Sequence, residues 1–218
     1  MAPHLLASVP EPQRSRVLDA CRRRPFTRGE AVFREGDSGD SVHIVDRGHL
    51  LVRAFTEDGD AVTLEVAGPG AVLGEIALVR KGGERTATVV ALDDGGTLVL
   101  TAARFEELCA EHVGVAIAAA QLLADRVERL TAQLTEAIYV GVDRRVARRL
   151  LTLADIFGGA APGTEVPVTQ QDIADLAGAA RPTVNQSLKA LESRGAIAVF
   201  RGGVRIVDID VLRSRAGL

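Results

Sequence analysis

The chain has 218 residues, 47% hydrophobic and 25% charged, with a formal net charge of −3; this is the make-up of a globular protein with room for one large domain or two ordinary ones, and it argues against a general coat for nucleic acid. Cys21 and Cys109 are the whole cysteine content, too few for a disulfide framework or a four-thiolate iron–sulfur cluster, so both are expected as small buried hydrophobes. No apolar run approaches the roughly 18–20 residues of a membrane helix, and "MAPHLLASVPEPQ" lacks the basic flank and apolar core of a signal peptide, which predicts a cytoplasmic protein with no membrane partner.

Between residues 30 and 100 the short alternating segments "SVHIVD", "HLLVRAF", "AVTLEV" and "GTLVLT" are divided by "EGDSGD", "TEDGDA", "AGPG" and "LDDGG". Strands of five or six residues between Gly and Asp turns predict an antiparallel barrel or double-sheet roll. Within it, "GEIALVRKGGERTATVVA" (residues 74–91) places Gly and Glu before a short apolar run, then Arg and Thr after a Gly pair. An arginine beside a glycine turn is a candidate site for a small anion.

After Thr101 the pattern turns helical. "FEELCAEH" reads as a short helix and "VAIAAAQLLADRVERLTAQLTEAIYVG" as a long one, in which Leu123, Val127, Leu130, Leu134 and Ala137 alternate at four and three. That heptad seam predicts pairing with a second copy; packing on the chain's own barrel is the alternative. "DRRVARRLLTLADIFGG" continues as a helix ended by Gly158 and Gly159, and "GGAAPGTEVPV" reads as a loop.

From Asp143 onward 11 Lys and Arg stand against 8 Asp and Glu, a net +3, while the preceding part carries −6. This split assigns any polyanion partner to the last third. There Thr169 with Asp172 reads as a helix N-cap, Gly178 as a left-handed stop, and Pro182 as tolerated in the first turn of a second helix starting near Arg181. Ile173 and Leu176 with Val184, Leu188 and Leu191 form an apolar wedge. Arg181, Asn185, Gln186 and Lys189 then fall on the opposite, exposed face, the arrangement of a helix-turn-helix. "AIAVF", "RGG" and "VRIVD" add a hairpin, so the unit is winged.

These pieces together resemble the cyclic AMP receptor protein and fumarate-nitrate regulator superfamily of bacterial transcription factors, over nearly the whole chain. "GEIAL…ERTA" resembles its phosphate-binding cassette, "RPTVNQSLKALE" its recognition helix, and the long helix its dimerisation helix. The resemblance implies an α+β protein with a β-roll (jelly-roll-like) ligand domain at 1–112, a dimerisation helix at 113–141 and a winged helix-turn-helix at 142–218. It implies a homodimer that binds double-stranded DNA and RNA polymerase under the control of a cyclic nucleotide, with no metal, haem or iron–sulfur cluster.

Under that resemblance Arg85 grips the ligand phosphate with its planar fork. Thr86 adds a hydroxyl, the amides of Gly74, Glu75, Ile76 and Ala77 favour the anion, and the Glu75 carboxylate accepts the ribose 2′-hydroxyl. Arg85 is expected as a surface arginine that contributes little to stability. Relatives that bind cyclic AMP place Thr and Ser on the dimer helix where this chain has Leu130 and Thr131. The ligand order is therefore cyclic AMP, then cyclic GMP or a cyclic dinucleotide, then no ligand control.

In the DNA-binding part the Arg, Glu and Arg that relatives use to read bases correspond to Arg181, Pro182 and Gln186. Thr183, Lys189 and Gln171, with Thr169 and Asn185 nearby, complete the expected DNA contacts. His43, His49 and His112 stand beside charged or turn residues and read as surface imidazoles, not haem ligands. No nucleophile, metal or nucleotide-loop motif of an enzyme is present. A cyclic-nucleotide regulatory subunit of an enzyme is the alternative from another class, and the winged C-terminus speaks against it.

Overall fold

The computed structural model describes residues 11, 13–78 and 83–218. They divide into two units, one of residues 1–61 and 66–129 and the other of residues 62–65 and 130–218.

In the first unit, with residues 62–65 of β5 counted in the second, α1 (Gln13–Asp19) precedes β1 (Arg22–Phe26), β2 (Ala31–Phe33), β3 (Ser41–Arg47), β4 (Leu50–Phe55), β5 (Ala61–Ala67), β6 (Val72–Leu73), β7 (Thr88–Ala91) and β8 (Gly95–Thr101). They form two four-stranded sheets in the orders β1-β8-β3-β6 and β2-β7-β4-β5, the expected double-sheet roll. Period-two alternation sorts β3 between two cores. Val42 and Ile44 pack with Leu98, Leu100, Phe105, Leu108 and Val115 against the helical side. Val45 packs with Phe26, Val32, Leu50, Val52 and Val89 between the sheets. Ser41 and His43 share the parity of Val45, which puts two polar side chains on the inner face of the roll.

Thr101 caps α2 (Ala102–Glu111) by accepting from the Arg104 amide, and α3 follows at Val113–Tyr139. One stripe of α3, with Val115, Ala118, Ala119 and Leu122, packs on the core beneath β3 and β8. Both cysteines pack against the same core, and burial pushes the Cys21 thiol up to about 11, as expected of a small hydrophobe.

In the second unit α4 (Val142–Gly158), α5 (Gln170–Ala177) and α6 (Arg181–Ser193) pack with β9 (Glu165–Val166), β10 (Ile197–Phe200), β11 (Gly203–Ile206) and α7 (Ile209–Ala216). Helices of 8 and 13 residues are too short to persist alone. Burial of Ile173, Val184, Leu188 and Leu191, each at most 4% exposed, contributes roughly 1.5–3 kcal/mol apiece. Leu176, expected in this wedge, is half-buried. The stretch read as a loop is not wholly one: Glu165 and Val166 pair with Arg205 and Val204. This third strand is fixed by the fully buried Val166, beside an exposed Glu165–Arg205 ion pair at 2.6 Å. Among the described residues no helix is long and apolar enough to cross a membrane.

Candidate functional site

The anion cassette is built where β6 meets a 3-10 turn, Glu75–Leu78. Gly74, between them, has φ +76°, a left-handed value that glycine adopts without a Cβ penalty. A Cβ there would also overlap the Arg85 guanidinium. Arg85 itself is locked to the loop before β3, its amide donating to the Asp37 carbonyl (2.8 Å) and its carbonyl accepting from the Gly36 amide (2.9 Å).

The Arg85 side chain is not on the surface as expected; it is 6% exposed. Nη1 donates to the Ser41 carbonyl at 2.6 Å and Nη2 to Ser41 Oγ at 3.1 Å. The Phe33 ring lies 4.3 Å from Cζ, and Nε is buried without a hydrogen-bond partner among the described residues. Burial lowers the guanidinium from its usual pKa, opposed by the charges of Asp40 and Asp37. Sequence reasoning places Arg85 in a solvent-facing pattern because the partners that enclose it, Phe33 and Ser41, lie more than 40 residues upstream.

Glu75 and Arg126 of α3 form an ion pair at 3.9 Å, their side chains 16% and 28% exposed. Sequence reading missed Arg126. Its signal is positional, since it extends the core-facing stripe Ala119, Leu122 by one helical turn. Ile76 and Thr86 are exposed, and Ala77 lies in the 3-10 turn.

Helix α3 also carries an exposed apolar stripe. Val113, Ile117, Val127, Leu130, Leu134 and Ile138 are 51–70% exposed. Of the heptad seam read from sequence, Leu123 is half-buried and Val127, Leu130, Leu134 and Ala137 are exposed; Thr131 is exposed beside them.

In the second unit, Thr169 caps α5 and Gly178 closes it at φ 59°, as the sequence predicts, and Asp172 accepts from the Thr169 amide to complete a reciprocal capping box. Pro182 sits in the first turn of α6. Arg181, Pro182, Thr183, Gln186 and Lys189 are exposed on one side of α6, and Thr169 and Gln171 are exposed at the start of α5. Gln171 Nε2 donates to Asp175 at 2.7 Å along its own helix. Asn185 departs from the expected exposed face: it is half-buried, and its Oδ1 is buried without a partner among the described residues.

Arg145 holds this unit together from within. It is 8% exposed and donates to the carbonyls of Ala137 (3.0 Å) and Val140 (2.7 Å) at the end of α3, and of Ala177 (2.8 Å) and Gly178 (3.1 Å) at the end of α5. A cation among C-terminal carbonyls meets both the orphan acceptors and the negative ends of two helix dipoles.

The cyclic nucleotide-binding domain family matches residues 23–112, and the Crp-like helix-turn-helix domain family matches residues 144–215. The chain is 31% identical over 194 residues to the CRP-like cAMP-activated global transcriptional regulator of Mycobacterium tuberculosis, covering 88% of this chain and 86% of that one. The chain belongs to the Crp/Fnr family. A second relative of this Crp/Fnr regulator, the cyclic AMP receptor protein of Thermus thermophilus, is 30% identical over 200 residues, 92% and 90% of the two chains. Among solved structures, the Thermus thermophilus catabolite activator protein matches with a TM-score of 0.57 at 28% identity over 98% of each chain. A c-di-GMP-responsive global regulator of Xanthomonas campestris matches at 0.74 over 89% of this chain and 98% of that chain, but its 22% identity shows the fold alone. The Crp/Fnr regulator is thus a cyclic-nucleotide-responsive, DNA-binding transcription factor and not an enzyme.

One expectation about the histidines is overturned in the Crp/Fnr roll. His43 is 5% exposed, with Nδ1 3.1 Å from Thr97 Oγ1 and its ring 5.3 Å from that of Phe33. The surface reading failed because β3 is covered on both faces, so its alternating polar residues point inward. Burial, with Arg85, Arg24 and Arg22 nearby and Asp40 opposing, pushes its pKa down to about 4. Among the described residues no cluster of three or more His, Cys, Asp or Glu could hold a metal ion.

Proposed function

We propose that this Crp/Fnr regulator is a homodimer gated by cyclic AMP, with residues 1–112 as ligand domain, 113–141 as dimerisation helix and 142–218 as DNA-binding domain. The observation that carries the ligand reading is the buried Arg85 fork with its Nε unpartnered among the described residues, in the same cassette as a Glu75 carboxylate paired with Arg126. A fork suits a phosphate and a carboxylate suits a ribose hydroxyl, so the pair selects cyclic ribonucleotides. The names of the Mycobacterium and Thermus relatives support cyclic AMP. Gly74, Ile76, Ala77 and Thr86 complete the cassette, and Leu130 and Thr131 are proposed to meet the purine.

The exposed stripe of α3 supports pairing with a second copy, because a heptad seam of that size is buried in stable proteins. Arg181 and Gln186 are proposed to read bases, with Thr169, Gln171, Thr183 and Lys189 holding phosphates and RNA polymerase as a further partner. Ligand binding shifts the DNA-competent population only through a difference in affinity, and a hundredfold preference supplies about 2.7 kcal/mol. Calorimetric titration with cyclic AMP, cyclic GMP and cyclic di-GMP, followed by gel shift on genomic fragments, tests the reading. Micromolar or tighter cyclic AMP binding that raises DNA affinity is expected; tighter binding of another nucleotide replaces the ligand, and no binding of any removes the gate.

A further inference from the structure

A guanidinium carries five N–H donors in one plane, grouped as an end pair on Nη1 and Nη2 and a side pair on Nη2 and Nε. In Arg85 the end pair belongs to one residue. The Ser41 carbonyl accepts from Nη1 at 2.6 Å and the Ser41 hydroxyl accepts from Nη2 at 3.1 Å. The same hydroxyl donates to Asp40 Oδ1 at 3.1 Å, so its proton is directed away and its lone pair toward the arginine. Phe33 covers one face of the fork, and Nη1 occupies the space that a Cβ on Gly74 would fill. What remains is the side pair, and its Nε is the donor that lacks a partner among the described residues.

We infer that Ser41 is a positioning residue for ligand recognition: it fixes Arg85 by the end of its fork and thereby presents the side edge, Nε and the second Nη2 proton, to the phosphate. Ser41 is 7% exposed and reaches this position because it shares the inner face of β3 with His43 and Val45. The inference rests on Arg85 being the phosphate arginine. A fork held at one end meets the two non-bridging oxygens of a cyclic phosphate in one orientation, so it distinguishes between them. A fork free to pivot distinguishes them less.

The test uses cyclic AMP and its two phosphorothioate diastereomers, in which sulfur, a weak acceptor, replaces one or the other non-bridging oxygen. The unaltered protein is expected to bind the two diastereomers with affinities at least fivefold apart. Ser41→Ala, which keeps the carbonyl and loses the hydroxyl, is expected to weaken cyclic AMP binding about tenfold, the loss of one hydrogen bond to a charged group, and to move the diastereomer ratio toward unity. Ser41→Thr restores the hydroxyl and is expected to restore the ratio. Circular dichroism melting of each variant separates a folding defect from a recognition defect, and the ratio within one variant is insensitive to the fraction folded. Equal affinities in the unaltered protein, an unchanged ratio in Ser41→Ala, or tighter binding there, which would make Ser41 a competitor of the phosphate, each overturn the inference. Failure of the unaltered protein to bind any of the three overturns the cyclic AMP reading itself.

Discussion

Gly74 and Arg85 cannot be changed independently. At Gly74 a methyl group meets a positive φ and the guanidinium at once, so relief requires moving the turn, the arginine or both. Gly74→Ala is expected to lower ligand affinity more than tenfold while costing about 1–2 kcal/mol of stability, measured by titration and denaturant unfolding. Arg85→Ala removes the fork and its bonds to Ser41. Because the side chain is buried, a loss of about 1–3 kcal/mol of stability is expected together with loss of cyclic nucleotide binding. A variant that binds as well as the parent would move the phosphate site elsewhere. Below them, His43 gives the roll a pH dependence whose sign follows from its lowered pKa. Above the ordinary value of 6.5 the ring is neutral folded or unfolded; as pH falls from there to about 4 the unfolded chain takes up a proton that the buried ring refuses. Stability therefore declines across that window. Melting temperatures of His43→Gln between pH 7.5 and 4.5 are expected to fall less steeply than those of the parent, and parallel curves would assign the decline to other groups.

At the scale of elements, the join of α3, α4 and α5 adds a set of polar contacts to the buried apolar faces of α4 and α5. Arg145→Ala leaves carbonyls at two helix ends without their donor and is expected to cost about 3 kcal/mol or more, and Arg145→Lys, a point charge without a fork, recovers a part of it. Glu136 supports the same join by pairing with Arg148 at 3.1 Å and with Arg149. A thermal melt in which Arg145→Ala matches the parent would show that α4 is held by apolar contacts alone. Helices α5 and α6 were legible in the sequence because their signals are local: a Thr N-cap with an Asp three residues on, a left-handed Gly178 and Pro182 in a first turn. The elements that escaped lack such signals. β1, "RRRPF", is charged and lacks apolar alternation, β9 is two residues long, and α7 is introduced by Asp208 accepting from the amides of Asp210 and Val211, a cap that follows the wing without a loop. In the site, Gly74, Glu75 and Arg85 were visible as a motif. Ser41 and Arg126 were not, because each earns its place through a partner 44 or 51 positions away.

For the whole molecule, the proposed dimer carries a direct expectation. Val127 and Leu134 are each 63% exposed on the outer stripe of α3, so charge there leaves the isolated chain intact and penalises only a paired seam. Val127→Glu with Leu134→Glu is expected to halve the mass in sedimentation equilibrium and to abolish cooperative binding to a two-fold operator, with the melting of the single chain little changed. An unchanged mass would locate the pairing surface elsewhere. β1 matters on the same scale for a different reason. It is the outermost strand of its sheet, and its free edge would otherwise be a template on which a neighbouring chain could lay down a strand of its own. Three consecutive arginines, of which Arg23 pairs with Asp46 and Arg24 with Glu30, make the edge charged rather than apolar, and Pro25 lacks a backbone donor. The run that reads least like a strand is thus what keeps this open sheet from growing, and Arg-to-Val replacements there should appear first as time-dependent aggregation in crowded, concentrated solution, well before any loss of ligand or DNA binding.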